Sequence, residues 1–317
     1  MTTHDDSLRF GVLDLPDAPL PTLTVRWRLV EELGFDFLWL PDHTADYRKL
    51  DGPWFDGWTT LAAMALSTHR IRVGTLVSNP ILRHPVMLAR QAAAVDHLSG
   101  GRLELGIGTG IAGFDHDALG STYWLPRERA ERFAEYVAVV EGLLGSGGRP
   151  FSFAGSHYAT RDVRVLPEPL QAPRLPITVG GQSPTVLRVA AARADCWNTH
   201  GPFGASVEEI LAVTRRQSAL VDELCANAGR EPGSLRRSLL LFDALDAWAS
   251  PGALTRIVER FSAIGVREYV LFWPGDDRRA ELERVAAEVI PALRPGPVDA
   301  HRAPAAATGP VTQGGRP

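Results

Sequence analysis

The sequence has little cysteine, no excess of positive charge and no long apolar run. Its two cysteines, Cys196 and Cys225, are too few for a disulfide framework and lack the spacing of a zinc site. The formal net charge of −4 gives no basic surface for nucleic acid or an anionic membrane. No segment approaches the roughly 20 apolar residues of a membrane-spanning helix, and the polar start "MTTHDDSL" is not typical of a signal peptide. We therefore expect a cytoplasmic protein whose partner is a small molecule.

What is present is a repeated alternation of short apolar runs with amphipathic helical segments. Such β-then-α units, rich in Val, Ile and Leu, are typical of a parallel sheet, either open or closed into a barrel. Eight units favour the (β/α)8 TIM barrel, whose usual length is about 250 residues. The predicted barrel strands are Leu8–Leu15, Phe35–Leu40, Arg70–Val77, Arg102–Gly108, Leu175–Gly180, Asp195–Asn198, Arg236–Leu245 and Glu268–Trp273.

The barrel is predicted to form a single domain over residues 1–293. Its surplus length lies in Gly145–Arg174, where we expect an insertion of short strands between the fourth and fifth barrel strands. Residues 294–317 are mainly Pro, Gly and Ala without apolar periodicity, so they cannot bury enough surface to offset their conformational entropy. We expect this tail to be disordered.

An acid and an imidazole follow the second predicted strand in "GFDFLWLPDH", as Asp42 and His43. Active sites of (β/α)8 barrels lie on the loops after the strands, and an imidazole there exchanges protons near neutral pH. A metal interpretation would combine this pair with His84 or His200, but no His-x-His or clustered carboxylate–histidine spacing supports it. We therefore predict no metal and assign proton handling to His43.

Glycine-rich runs follow two other strands, as Gly106-x-Gly108-x-Gly110 and Gly180-Gly181. Glycine lets backbone N–H groups approach an anion closely, so the pair predicts a phosphorylated ligand held at two points, although tight turns alone also require glycine. "LELGIGTG" also resembles the first motif of methyltransferases that use S-adenosylmethionine. That motif normally follows the first strand of its domain, whereas three strands precede it here, so the match is weak.

Several stretches together resemble the bacterial luciferase-like superfamily of flavin- and deazaflavin-dependent oxidoreductases. They are "GFDFLWLPDH", "RIRVGTLVSNPILRHPVMLARQAAAVDHLSGGRLELGIGTG" and "VLPEPLQAPRLPITVGGQSPTVLRVAAARADCWN". The resemblance extends to about Pro291 and implies a (β/α)8 barrel that binds FMN or coenzyme F420 at its C-terminal mouth. FMN-dependent members often end the second strand in Glu-His-His, and F420-dependent members in Asp-His. "LPDH" therefore resembles the F420 branch, with FMN as the alternative cofactor.

The resemblance also implies roles for individual residues. Asp42 and His43 would lie against the deazaflavin ring, and a non-proline cis peptide near Leu76–Val77, or one residue later at Ser78, would back it. The remaining cofactor-binding residues, which would hold the phosphate and ribityl chain, are Gly108, Thr109, Gly110, Gly180, Gly181 and Gln182.

The sequence departs from the F420 enzymes that act on alcohols or sugar phosphates. Those enzymes carry tryptophan four residues after the histidine, where this chain has Tyr47, and glutamate directly after the glycine loop, where it has Ile111. Because isoleucine cannot exchange a proton, the acid/base candidates are His43 and Tyr47. The aromatic residues that would suit an apolar substrate pocket are Trp54, Phe55, Trp58 and Phe203.

Three functions are compatible with these features. The main hypothesis is an oxidoreductase that transfers hydride between coenzyme F420 and a small organic substrate. The alternatives are an FMN-dependent monooxygenase that uses reduced flavin and oxygen, and a non-catalytic barrel that binds a cofactor. Relatives are commonly dimers that pack through helices 2 and 3, and "WTTLAAMALS" has the small residues for close helix contact. We therefore expect a homodimer.

Overall fold

In the computed structural model, which describes residues 7–294, eight parallel strands close into a barrel. The strands in chain order are β1 (Arg9–Leu13), β2 (Phe37–Leu40), β3 (Arg72–Ser78), β4 (Leu103–Ile107), β5 (Phe151–Ala154), β6 (Ala159–Val163), β7 (Ile177–Gly180), β8 (Cys196–Thr199), β9 (Arg236–Leu240) and β10 (Glu268–Phe272). Around the barrel they follow the order β1-β10-β9-β8-β7-β4-β3-β2, and β5 pairs only with β6. The predicted (β/α)8 barrel is thereby confirmed.

Helices surround the barrel. They are α1 (Leu20–Glu32), α2 (Gly57–Ser67), α3 (Pro85–Ser99), α4 (Gly113–Ala118), α5 (Pro126–Leu144), α6 (Pro184–Arg193), α7 (Val207–Asn227), α8 (Ala253–Ser262), α9 (Arg279–Arg284) and α10 (Ile290–Leu293). A π-helical turn at Val285–Val289 joins the last two. Their ends follow local chemistry: α3 begins at a proline and ends before Gly100, whose φ of 67° suits glycine. Within residues 7–294, no helix combines the length and apolar character needed to cross a membrane.

All eight predicted barrel strands are present, with one boundary that is clearly wrong. The strand predicted over Arg236–Leu245 ends at Leu240. Beyond it the chain turns, because Asp243 takes a positive φ of 55° and the Leu245 N–H donates to the Phe242 carbonyl at 3.1 Å. The apolar run continues past the strand because Leu241 and Phe242 line a cavity beside the mouth.

The predicted insertion is also confirmed. Gly145–Arg174 contains the antiparallel hairpin of β5 and β6. Buried Asp96 of α3 holds the end of this insertion, because its carboxylate accepts the Leu170 N–H at 2.7 Å and the Gln171 side chain at 2.7 Å. The predicted disordered tail lies outside the described residues except for Arg294, and the single-domain boundary at 293 stays a prediction.

The barrel interior is filled by large side chains placed opposite glycines. Phe37 and Trp39 of β2 lie inside, where a Cβ at Gly74 would come within 2.7 Å of the Trp39 ring. A Cβ at Gly11 would lie 2.8 Å from that of Phe37. Toward the mouth the interior remains apolar, with the cluster Leu13, Phe37, Trp39, Leu76 and Val270 and the half-buried Val77, Leu240 and Phe272 packed on it.

Ion pairs fill the opposite end of the barrel, where the strands begin. Arg236 bonds Glu268 at 2.7 Å, and Arg72 bonds Glu104 at 2.9 Å. Arg9 also pairs with Glu268. Both glutamates are buried, so their charges require these partners. This network occupies the N-terminal end of the barrel, and the loops at the other end are left for binding.

A second ion-pair cluster joins α1 to both neighbouring loops. Asp14, which follows β1, accepts a hydrogen bond from the Trp27 indole at 3.0 Å and lies 3.3 Å from the guanidinium of Arg26. Arg26 also donates to Asp276, beyond β10, at 2.8 and 2.9 Å. Burial raises the pKa of Asp14 to about 7 despite the nearby guanidinium.

This raised pKa predicts a pH-dependent stability. Between its ordinary pKa of 3.8 and about 7, the Asp14 carboxyl is protonated when folded and ionised when unfolded. The free energy of unfolding should therefore fall as pH rises through this range, by on the order of 4 kcal/mol from this group. Urea unfolding from pH 4 to 8 should show a shallower decline for Asp14→Asn.

Asp17 supplies the matched control, because it lies 3.4 Å from the same guanidinium but its side chain is 39% exposed. Asp17→Asn should retain most of the wild-type slope. Equal slopes for wild type and Asp14→Asn would contradict the assignment.

Candidate active site

His43 is fixed at the mouth of the barrel by a buried carboxylate. It follows β2, and its Nδ1 lies 2.7 Å from Oδ2 of Asp115 in α4. The Asp115 side chain is fully buried, whereas that of His43 is 31% exposed. Thr44 donates to the other carboxylate oxygen through its N–H and its hydroxyl, both at 2.8 Å. Asp115 therefore joins the loop after β2 to the loop after β4.

The charge of Asp115 determines which His43 nitrogen carries the proton. Burial alone raises the pKa of Asp115, but the hydrogen bonds from His43 and Thr44 outweigh it and hold that pKa below its ordinary value. An ionised carboxylate only accepts hydrogen bonds, so Nδ1 of His43 is the donor. Nε2 is then the nitrogen available to a ligand. A histidine oriented by a carboxylate in this way is suited to acid/base chemistry.

Asp42 has a different environment. Its carboxylate is buried and ion-paired with Arg83 of the loop after β3, and its carbonyl accepts the Asn79 side-chain N–H at 3.2 Å. These contacts tie the end of β2 to the loop after β3. Its Oδ1 has no hydrogen-bond partner within the described residues. A cofactor contact for Asp42 stays a prediction, and the geometry adds a structural role.

Tyr47 lies on the other side of the mouth from the Asp115 contact. Its side chain is exposed, and its ring centroid is 6.1 Å from that of Phe242, which follows β9. Burial of part of its surface raises its pKa. No hydrogen bond joins Tyr47 to His43 in the part of the chain that the structure describes. The two predicted acid/base residues are therefore near the same mouth but have separate partners.

Packing around Val77 accounts for the glycines at two strand ends. The Leu76–Val77 peptide bond is cis, at the first position predicted for it. A Cβ at Gly108 would collide with the Val77 side chain, and one at Gly180 would lie 3.0 Å from it. Ser78 is buried, and its hydroxyl accepts the Trp58 indole N–H at 2.9 Å. A role for these residues in binding cofactor stays a prediction.

Two of the glycine N–H groups expected at an anion are already used. Gly108 donates to the Ser78 carbonyl at 2.7 Å, and Gly181 donates to the Asn198 carbonyl at 3.1 Å. The N–H groups without a described partner are those of Thr109, Gly110 and Gln182. The Gln182 side chain is bound to the Gly201 carbonyl at 2.6 Å. The two strand ends therefore still offer donors, though fewer than the glycine pattern suggested.

The other proposed pocket and metal residues are mostly engaged elsewhere. Trp58 is buried, and the Trp54 indole donates to the His43 carbonyl at 2.8 Å, so Trp54 supports the loop that carries His43. His84 caps α3, and the ring centroid of His200 lies 4.7 Å from that of Phe203. Within residues 7–294, no three metal-binding side chains converge.

Comparisons with known proteins agree with this architecture. A family model described as luciferase-like monooxygenase matches residues 8–296. The chain belongs to the luciferase-like monooxygenase family. The resemblance predicted from the sequence is thereby confirmed.

Individual relatives extend over most of the chain. An F420-dependent glucose-6-phosphate dehydrogenase of Kineococcus radiotolerans is 27% identical over an alignment 346 residues long. This alignment covers 92% of this chain and 99% of that protein. A 4-hydroxyprotoasukamycin monooxygenase of Streptomyces nodosus subsp. asukaensis is 31% identical over 232 residues, 70% of this chain and 57% of the relative. The structure of a coenzyme F420-dependent tetrahydromethanopterin reductase from Methanopyrus kandleri has a TM-score of 0.75 at 21% identity, covering 91% of this chain and all of that one.

Asp115 is the residue of this luciferase-like site that sequence reasoning missed. It stands 72 residues from His43 in the chain, in "GFDHD" after the glycine loop. Asp117 is close by, so the sequence shows no reason to choose one over the other. The available signal was only that an acid follows the fourth strand at the mouth.

Asp115→Asn should move the His43 proton. The asparagine oxygen can still accept from Thr44, which turns its NH2 group toward Nδ1 of His43 and makes that nitrogen an acceptor. Long-range 1H–15N NMR of the imidazole should show the proton on Nδ1 in wild type and on Nε2 in the variant. If the enzyme acts through His43, turnover should fall about 10- to 100-fold.

The exposed neighbour Asp117 provides the control on the same helix. Asp117→Asn should leave the imidazole spectrum unchanged. Retention of the proton on Nδ1 in Asp115→Asn would show that the carboxylate does not orient His43.

Proposed function

We propose that this luciferase-like protein is an oxidoreductase that transfers a hydride between coenzyme F420 and a small organic substrate. The observation that carries the proposal is the Asp115-bound His43 at the mouth of a barrel whose interior is apolar on that side. The Asp-His end of β2, which resembles the F420 branch, and the F420-dependent relative and structural neighbour support it.

The mouth fits a planar cofactor with one apolar face and a polar edge. The absent Cβ atoms of Gly108 and Gly180 leave room for Val77, and Leu76 lies beside it in the apolar cluster. Leu76 and Val77 would contact the apolar face of the cofactor ring. Asp42, His43 and Ser78 remain in the proposed cofactor set, with Thr109, Gly110, Gly181 and Gln182 toward the phosphate and ribityl chain.

Coenzyme F420, a deazaflavin, would supply two-electron hydride chemistry to the site. The protein residues manage the accompanying proton. His43, held through Nδ1 by Asp115, presents Nε2 to the mouth and there gives a proton to the substrate or takes one from it. Trp54 fixes the main chain of His43 from the other side. Tyr47 is a second proton donor only if it moves from its packing against Phe242.

Ile111 separates this protein from glucose-6-phosphate dehydrogenase chemistry. The resemblance places a glutamate at this position in enzymes acting on alcohols and sugar phosphates, and Ile111 is 57% exposed at the mouth. An exposed aliphatic side chain neither exchanges a proton nor binds phosphate. The substrate of the Kineococcus relative is therefore not transferred to this chain.

We also propose a cytoplasmic homodimer. Both cysteines, Cys196 and Cys225, are free thiols, as expected in a reducing compartment. The outer faces of α2 and α3 expose Leu66, Met87 and Leu98, an apolar set suited to a second copy of the chain. Analytical ultracentrifugation measures this association.

Separate titrations with F420 and FMN test the cofactor. F420 should bind with a change in its fluorescence, and FMN should bind more weakly. His43→Ala should lower the rate of F420H2 oxidation by a panel of aldehydes, ketones and enones by about 10²- to 10⁴-fold, because it removes the proton donor. Affinity for F420 should change less than tenfold.

His69→Ala, at an exposed histidine, is the matched control and should keep the wild-type rate. Tight FMN binding without F420 binding would replace the proposal with an FMN-dependent monooxygenase. F420 binding without oxidation of F420H2 by any compound of the panel would favour a non-catalytic barrel.

A further inference from the structure

A cavity of about 420 Å³ opens beside the mouth, on the side of β9 and β10. Its volume lies within the range of small-molecule pockets. The residues proposed for the cofactor follow β2, β3, β4 and β7, so the cavity occupies a separate sector of the barrel end. The aromatic residues lining it are Tyr47, Phe203, Phe242, Trp248 and Phe272.

Phe242 is the centre of a cluster of rings in this cavity. Its ring centroid lies 5.7 Å from those of Phe203 and Phe272, 5.8 Å from that of His200 and 6.1 Å from that of Tyr47. These are the spacings of favourable aromatic contacts. Phe203 and Tyr47 are nevertheless 64% and 57% exposed. The cluster thus presents two partly exposed aromatic rings, and the guanidinium carbon of Arg48 lies 5.7 Å from the centroid of the Tyr47 ring.

The charges in the lining oppose an anionic ligand. They are one guanidinium, Arg48, and two carboxylates, Asp243 and Asp246. Asp46 binds the Arg48 guanidinium at 2.8 and 3.0 Å, so this cation is already neutralised. Asp243 accepts the Gly204 N–H at 3.0 Å, which holds the loop carrying Phe203. A phosphate in the cavity would meet an excess of negative charge.

We propose that this cavity, hereafter the aromatic cavity, binds the ring system of an uncharged aromatic substrate of the F420-dependent reaction. The proposal rests on the proposed function for its reaction but not for its binding. Tyr47 and Phe203 cover the faces of the ring system, and the paired Arg48 leaves no free cation for a sugar phosphate. Tyr47 belongs to the same loop as His43, which links the aromatic cavity to the proton-handling residue.

Calorimetric titration of the cofactor-free protein tests this binding directly. The probes are 2-acetylnaphthalene, its charged analogue 6-acetyl-2-naphthoate, and glucose 6-phosphate. The uncharged ketone should bind at least about tenfold more tightly than the naphthoate, and glucose 6-phosphate should give no heat. Phe203→Ser and Tyr47→Ser should each weaken binding of the ketone at least about fivefold, because each removes an aromatic face.

Leu50→Ser is the matched control, since Leu50 is 61% exposed on the Tyr47 loop but outside the aromatic cavity. It should bind the ketone as wild type does. Tighter binding of the naphthoate or of glucose 6-phosphate, or unchanged ketone binding in both aromatic variants, would overturn the proposal.

A parallel F420 titration separates the two proposals. Phe203→Ser should retain wild-type affinity for F420. Ketone binding in a protein that does not bind F420 would refute the proposed function and leave the aromatic cavity standing. F420 binding without ketone binding would refute the aromatic cavity and leave the proposed function standing.

Discussion

The packing of Trp39 between glycines inside the barrel is the constraint on which the site depends. Trp39 is in register with Leu13 of β1 and Gly74 of β3, and its ring fills space that a Cβ at Gly74 would occupy. A slip of one residue would turn Trp39 toward the helices and reverse every side chain of β2. The register of β2 thereby sets where the chain leaves the sheet, with Asp42 buried against Arg83 and His43 partly exposed at the mouth.

The sequence was most informative where burial is uniform. A strand covered on both faces is a continuous apolar run, so β2 and its Pro-Asp-His end were readable without any tertiary information. The same rule overextended β9, because Leu241 and Phe242 are apolar for a different reason: they pack at the mouth after the strand has ended. The contact between His43 and Asp115 could not be predicted, since it forms only when barrel closure brings the loops after β2 and β4 together.

The glycine runs show why one sequence signal does not identify a ligand. Glycine at 108 and 180 predicted an anion site, yet both positions also accommodate the Val77 side chain. The two explanations make different demands on the backbone. Packing against Val77 requires only that the residue has no Cβ, whereas anion binding requires an N–H group without another partner. The Gly108 N–H already donates to the Ser78 carbonyl. The anion hypothesis now depends on the N–H groups of Thr109, Gly110 and Gln182, which have no partner in the part of the chain that the structure describes.

The buried ion pairs and the loops proposed to bind ligands lie at opposite ends of this barrel. The buried ion pairs of Arg236 and Arg72 hold the end where the strands begin, so the mouth loops need not supply the main polar contacts of the core. His43 is held by Asp115 on the β4 side, and the aromatic cavity lies on the β9 side. Because no described hydrogen bond couples the two sides, a change in the aromatic cavity can alter which ligand binds there while the contact between His43 and Asp115 keeps its geometry.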